Sequence, residues 1–285
     1  MKKLAPIYFC LLVLATPAFA QFRYEAWNLG PQLGHMTIAN GMSRYDSNGP
    51  NATDVYLADS ADSHYSVSNL RLNIEAISTK YFVKGEGSFA LGKHVEHDSD
   101  DVLGHCSDFG VKFGYGFSIK DKVGFQFGLN GGVCHIRQYE NLAATSRTVR
   151  PDYFVPSAGT TALNGQHMFG DMGAWQGGVL ISNIICFSDQ LALQTILSHN
   201  NLVNKHKTIN GRNNQLEFIL YYSNPDLHNI GFSLNVTENW MHFQGYTPED
   251  ATKAGNAARI YPASKVSMMT INIGINLPIV FNDED

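Results

Sequence analysis

The chain has 285 residues, 44% hydrophobic and only 16% charged, with 26 glycines, 13 tyrosines and a formal net charge of −5. A chain of this size makes one barrel or two ordinary domains. No basic patch speaks for nucleic acid, and no apolar run of about 20 residues offers a transmembrane helix.

Lys2 and Lys3 precede an apolar run from Tyr8 to Leu14, followed by Ala15-Thr16-Pro17-Ala18-Phe19-Ala20. A basic start, a short oily stretch and an A-x-A site before Gln21 read as a secretory signal peptide over residues 1–20. The expected mature domain, 21–285, then carries a net charge of −7, because Lys2 and Lys3 are lost. Cys10 lies inside the oily stretch rather than after a lipobox, so a lipid anchor is not expected. The remaining Cys106, Cys134 and Cys186 are too few, and odd in number, to carry a disulfide framework.

A first strand is placed near Trp27–Ile38, followed by a loop over residues 40–65. From Ser68 to Ile77, Leu70, Leu72, Ile74 and Ala76 alternate with Asn69, Arg71, Asn73 and Glu75. Such two-residue alternation gives a strand one oily and one wet face. A turn at Ser78-Thr79-Lys80 leads to Tyr81–Leu91, where Tyr81, Val83, Phe89 and Leu91 oppose Lys84, Glu86 and Ser88. A polar segment over residues 93–107 precedes the clearest hairpin. Its oily residues are Phe109, Val111, Phe113, Tyr115, Phe117 and Ile119, then Val123, Phe125, Phe127, Leu129 and Val133, around the turn Lys120-Asp121-Lys122.

Residues 138–170 read as loop. Trp175, Val179, Ile181 and Ile185 mark a strand that turns at Ser188-Asp189-Gln190 into Leu191–Ser198, and a polar loop then runs through Arg212. Leu216, Phe218, Leu220 and Tyr222 lead through Asn224-Pro225-Asp226 to Ile230, Phe232, Leu234 and Val236. After a loop over 244–265 comes the closing strand, Val266 to Phe281, strictly alternating and long enough to cross a bilayer when tilted. About ten strands result.

Taken alone, the closing strand suits a soluble sandwich as well as a membrane barrel. The connections decide, because they alternate long and short through the whole chain. Outer-membrane barrels have long loops outside, short turns facing the periplasm and both chain ends inside. The expected fold is therefore an all-β, antiparallel, up-and-down transmembrane β-barrel in the outer membrane, with outer-membrane lipid as its first partner. Trp175 and Trp240 fall near outer strand ends, Tyr222 and Phe281 near inner ends, as interface aromatics should.

The wet faces supply Arg71, Glu75, Lys84, Glu86, Lys112 and Glu217 as lumen charges, three acidic and three basic. A barrel this narrow is largely filled by side chains, so a plugged lumen is expected rather than a water-filled channel, with glycines of the 109–133 hairpin making room. Cys106 and Cys134 share that hairpin's wet face. Pairing indices that sum to 240 set them opposite, where a disulfide could form; a sum of 242 sets them on a diagonal.

Little here speaks for an enzyme, a metal site or a cofactor. His94, His97 and His105 with Asp98, Asp100 and Asp101 match no defined metal spacing. Ten strands invite comparison with omptin proteases, and Asp98-x-Asp100 has the spacing of their paired aspartates. Asp226-Leu227-His228, the one Asp-x-His, falls on a short periplasmic turn, out of hydrogen-bond reach of the outer loops. His64-Tyr65-Ser66 is the best His/Ser pair for a barrel hydrolase, and such short coincidences are frequent.

One section carries a narrower likeness. Within Phe109–Asn204 a Gly/aromatic hairpin and a long polar loop lead to Gly170-Asp171-Met172-Gly173-Ala174-Trp175. Phe187-Ser188-Asp189 and Ser198-His199-Asn200-Asn201-Leu202 follow. This order resembles the PorP/SprF outer-membrane proteins of the type IX secretion and gliding apparatus of Bacteroidota. The resemblance implies a non-enzymatic accessory that helps export or anchor surface adhesins and docks to periplasmic, peptidoglycan-associated secretion components. The alternatives are a small outer-membrane channel or transporter and, after that, a barrel-embedded hydrolase.

Overall fold

The computed structural model describes residues 24–46, 56–91, 102–141, 166–204, 210–227, 230–243 and 264–279. They form ten strands: β1 (Tyr24–Asp46), β2 (Tyr56–Ile77), β3 (Tyr81–Leu91), β4 (Val102–Ile119), β5 (Val123–Asn141), β6 (Gln166–Cys186), β7 (Leu191–Asn204), β8 (Asn210–Asn224), β9 (Ile230–Phe243) and β10 (Ser264–Ile279). Each pairs antiparallel with its sequence neighbours, and β10 returns to β1, so the sheet closes and no edge is left open.

Which way the oily faces point follows from β10. Met269, Ile271, Ile273, Ile275 and Leu277 are exposed on the outside, Ile273 at 65%, while Thr270, Asn272 and Asn276 are buried inside. In β4, Phe109, Val111, Phe113, Tyr115, Phe117 and Ile119 are likewise exposed, and Lys112 is buried. A soluble sandwich would turn these rows toward one another. Here they face away from a polar interior, which is stable only if the surrounding medium is hydrocarbon. The protein is therefore a ten-stranded outer-membrane β-barrel. Among the described residues no helix is long and apolar enough to span a membrane; the strands do the crossing.

The short turns are held by local chemistry. Ser78 Oγ accepts from the amides of Lys80 (3.2 Å) and Tyr81 (3.0 Å), and Ser188 Oγ accepts from those of Gln190 (3.2 Å) and Leu191 (3.1 Å). Lys120 and Asp121 both have positive φ, 51° and 52°, the mirror-image turn whose twist suits a hairpin. Asn224 starts a single 3₁₀ turn over Pro225–Leu227, its Oδ1 accepting from Asp226 N at 3.0 Å.

The largest departure from the sequence expectation is at the front. Most of the loop placed at residues 40–65 is strand: β1 and β2 stay paired from Ala39↔His64 out to Asp46↔Tyr56. Above the membrane neither face meets lipid, so a hairpin can continue without the alternation that marks its lower half. β1 and β2 are 23 and 22 residues long and β6 is 21, well beyond what a crossing needs. The wall thus rises above the outer leaflet on these strands.

Candidate functional site

Among the described residues, charged side chains converge in the barrel interior. Arg71 (β2), Lys84 and Glu86 (β3), Lys112 (β4) and Glu217 (β8) all point inward and meet in one cluster. Glu217 reaches across the lumen from the opposite wall. Its Oε1 accepts from Lys84 Nζ at 2.5 Å and Arg71 Nη2 at 2.7 Å, and its Oε2 from Lys112 Nζ at 2.7 Å. Asn235 Nδ2, one strand away on β9, gives the carboxylate a fourth bond, to Oε1 at 2.6 Å. Glu86 pairs with Arg71, with Lys112 at 2.7 Å and with Lys84 at 3.5 Å. Arg71 is steered by Asn73 Oδ1 at 3.1 Å and Thr237 Oγ1 at 3.0 Å.

Two carboxylates thus bridge three cations, and every pair lies on a wet face that alternation had assigned to the lumen. Glu75, the sixth charge named from the sequence, sits outside this knot. Its Oε2 accepts from Tyr221 Oη at 3.2 Å, and the same hydroxyl lies 3.2 Å from Gln194 Oε1. A seventh inward charge, and the fourth carboxylate, is Asp108 in β4, which accepts from Gln176 Nε2 at 2.9 Å. Its phase matches that of Lys112, four residues on, but it stands at the boundary between the polar segment 93–107 and the alternation that begins at Phe109. A cavity of about 20 Å³ beside Arg71, Glu86 and Asp108 has room for about one water molecule.

Below the charges, toward the short turns, one side of the lumen is largely apolar, while Asn28, Gln32, Ser233 and Asn276 line the other. Ile77, Phe82, Leu180, Ile184, Ala192, Ile196, Ile219 and Tyr221 form a buried cluster. The sequence holds a signal for it in adjacent apolar pairs near the turns: Tyr81-Phe82, Ile184-Ile185, Ile196-Leu197, Ile219-Leu220 and Tyr221-Tyr222. Two apolar residues in succession leave a strand oily on both faces. Gly114 belongs to this layer. A Cβ there would collide with the Phe82 ring, so the hairpin's glycine houses an aromatic ring as well as leaving room near the charges. Toward the outer side the filling is mixed: Met36, Val67, Leu202, Met241, Val266 and Met268 are buried beside Ser198, Asn200, Asn213, Gln215 and Asn239.

The other named residues separate. β4 and β5 pair with indices summing to 242: Cys106 lies opposite Ile136, and Cys134 opposite Asp108. Cys134 is a buried, free thiol, so the direct disulfide with Cys106 is not made. Trp175, Trp240 and Tyr222 are exposed on the outer wall; Phe281, past the end of β10, lies outside the described residues. So do the signal peptide, His94, His97, Asp98, Asp100, Asp101 and His228. His64 and Ser66 lie on β2 and His105 on β4. Among the described residues no three His, Cys, Asp or Glu side chains are grouped to hold a metal.

No family model matches this chain, and no curated protein sequence matches it. Solved barrels share its outline at low identity. The outer membrane protease OmpT from Escherichia coli is 10% identical over 90% of this chain and 97% of its own, with a TM-score of 0.47. Ail, the attachment invasion locus protein of Yersinia pestis, is 8% identical over 88% and 99%, with a TM-score of 0.30. Neisserial surface protein A is 8% identical over 88% and 97%, with a TM-score of 0.33.

Proposed function

We propose that this protein is a non-conducting outer-membrane barrel that works through its outer and periplasmic surfaces, as an accessory to the export or anchoring of surface proteins. The observation that carries this is Glu217, which spans the lumen to Arg71, Lys84 and Lys112 and ties opposite walls together. A solute path would have to break three buried ion pairs and then displace the buried side chains below them, Phe82 and Tyr221 among them. The strands that overshoot the membrane, β1, β2 and β6, offer the surface on which a partner would dock. The secretion and gliding role rests on the likeness of residues 109–204 to the PorP/SprF proteins. It implies periplasmic, peptidoglycan-associated components and secreted adhesins as partners, and no catalysis.

Two experiments test it. Purified protein in planar bilayers is expected to give no steady single-channel current; a stable open level would move the reading to a small solute channel. Affinity capture of the tagged protein from solubilised outer membranes is expected to recover peptidoglycan-associated lipoproteins in stoichiometric yield. Recovery of the barrel alone would overturn the secretion role.

A further inference from the structure

Among the described residues two prolines stand in strands, Pro31 in β1 and Pro278 in β10, and these two strands meet at the seam that closes the barrel. Proline has no amide hydrogen to give a ladder, so sheets confine it to their edges. The pairing shows the consequence. From Gln32↔Gly274 outward to Met42↔Ser264 the seam is paired at every residue. Inward it skips Gly30 and Pro31, keeps its register, and resumes for three pairs: Leu29↔Leu277, Asn28↔Pro278 and Trp27↔Ile279. The seams β2–β3, β3–β4, β4–β5, β6–β7, β7–β8, β8–β9 and β9–β10 run without a skipped pair. Pairing of β9 with β10 ends at Asn276↔Gly231, so among the described residues Leu277–Ile279 are held in the sheet by β1 alone.

Just above the gap the two strands are pinned. A Cβ on Gly34 would lie 2.0 Å from the Ile271 carbonyl oxygen, and one on Gly274 would lie 2.4 Å from that of Pro31. That close approach sets the upper limit of any parting. Behind the gap is the polar side of the lower lumen. Gln32 Nε2 donates to Ser233 Oγ at 2.8 Å, and that hydroxyl donates to Asn276 Oδ1 at 3.2 Å. Gln32 Oε1, on a residue only 1% exposed, has no partner among the described residues. In front of the gap Leu29, Ile275 and Leu277 face lipid.

We propose that Ile275–Ile279, the inner end of β10, is a latch that parts from β1 and opens the wall sideways, joining the polar side of the lower lumen to the inner leaflet. Two missing N–H donors and a hold of three pairs make this the weakest stretch of the seam. Elements that move are drawn from such stretches of low local stability. The opening is lateral, so it asks nothing of the ion cluster that blocks the axis.

Amide exchange of the full mature protein in lipid nanodiscs, read residue by residue by NMR, tests the latch. Amides pointing across the seam from Trp27–Gly30 and Ile275–Ile279 are expected to exchange about tenfold faster than those pointing across the inner end of β5–β6, at Val123–Phe127 and Ile181–Ile185. This comparison needs no variant, and equal rates would overturn the proposal. Side-chain amides separate an opened wall from a frayed strand end. That of Gln32 is expected to exchange along with the seam, while that of Gln194, which donates to Ser182 Oγ at 3.1 Å, stays slow. A Gln32 amide as slow as that of Gln194 would leave only fraying and refute the latch. P31A/P278A returns both donors and is expected to bring the seam to within about twofold of β5–β6. Heat-shifted gel mobility reports its folding. A folded P31A/P278A whose seam exchanges as fast as that of the wild type would refute the proposal as well.

Discussion

Glu217→Gln is the sharpest probe of the plug. The side chain is fully buried and accepts from Arg71, Lys84, Lys112 and Asn235 at 2.5–2.7 Å. Glutamine keeps the shape but removes the charge, and it turns an amide toward cations that need an acceptor. Three cations then share Glu86, with Glu75 held apart by Tyr221. Breaking a buried pair by removing one partner costs about 3–5 kcal/mol, because the remaining charge is left uncompensated. With a denaturant slope of about 3 kcal/mol/M in urea, the unfolding midpoint should fall by roughly 1–1.7 M. Equilibrium unfolding from lipid vesicles, followed by the fluorescence of Trp27, Trp175 and Trp240, reads that shift. The companion Lys84→Met isolates the mechanism: taken together with Glu217→Gln it removes both ends of one pair, so the double variant should lose less than the sum by at least about 1 kcal/mol. Strict additivity, or a midpoint within about 0.2 M of wild type, would mean that the cluster does not hold the walls together.

Further expectations test the packing, the medium and the register. Gly114→Ala drives a Cβ into the Phe82 ring and should cost about 1–3 kcal/mol by the same unfolding measurement, much of it relieved when Phe82→Ala is added. Ile273→Arg alters a residue 65% exposed, yet should destabilise by about 2–4 kcal/mol in bilayers because the exposure is to lipid; a negligible change would contradict the outward oily face. Asp108→Cys places a thiol directly opposite Cys134, so mild oxidation should link the two, seen as the loss of two hydrogens by mass. Wild-type protein under the same oxidant should keep Cys134 reduced; a Cys106–Cys134 bond there would shift the whole β4–β5 register by two.

The transmembrane half of every strand was legible because lipid and lumen impose opposite demands at each step, which is why β10 and the β4–β5 hairpin read so clearly. The upper halves of β1 and β2 were not, since water on both faces removes the alternation and leaves only backbone pairing to extend the hairpin. The identity of the inward charges could be read strand by strand, but not their partners. Glu217 lies 133 residues from Lys84 and 105 from Lys112, and only closure of the sheet brings them together. The apolar lumen layer was missed for a different reason. An inward Ile or Phe breaks the expected pattern and resembles noise until several such breaks, at 77, 82, 184, 196 and 219, are seen to meet in one buried cluster.

That arrangement, an apolar cluster beside the ion cluster, bears on how the chain finds one register. A slip of one residue on any strand exchanges its two faces. For β3 it would turn Lys84 and Glu86 into hydrocarbon; for β8 it would turn Glu217 outward and strand three cations inside. Charge at the bilayer midplane costs several kcal/mol even after the membrane deforms around it. The interior ion pairs therefore need not add net stability over a well-packed apolar lumen to be useful. Their value lies in the size of the penalty for every wrong pairing, and it falls on β2, β3, β4 and β8 together, because Glu217 answers to residues on three other strands. Filling the lumen with leucine and phenylalanine throughout would close the pore equally well, but a slipped strand would then show lipid an apolar face and pass unpunished.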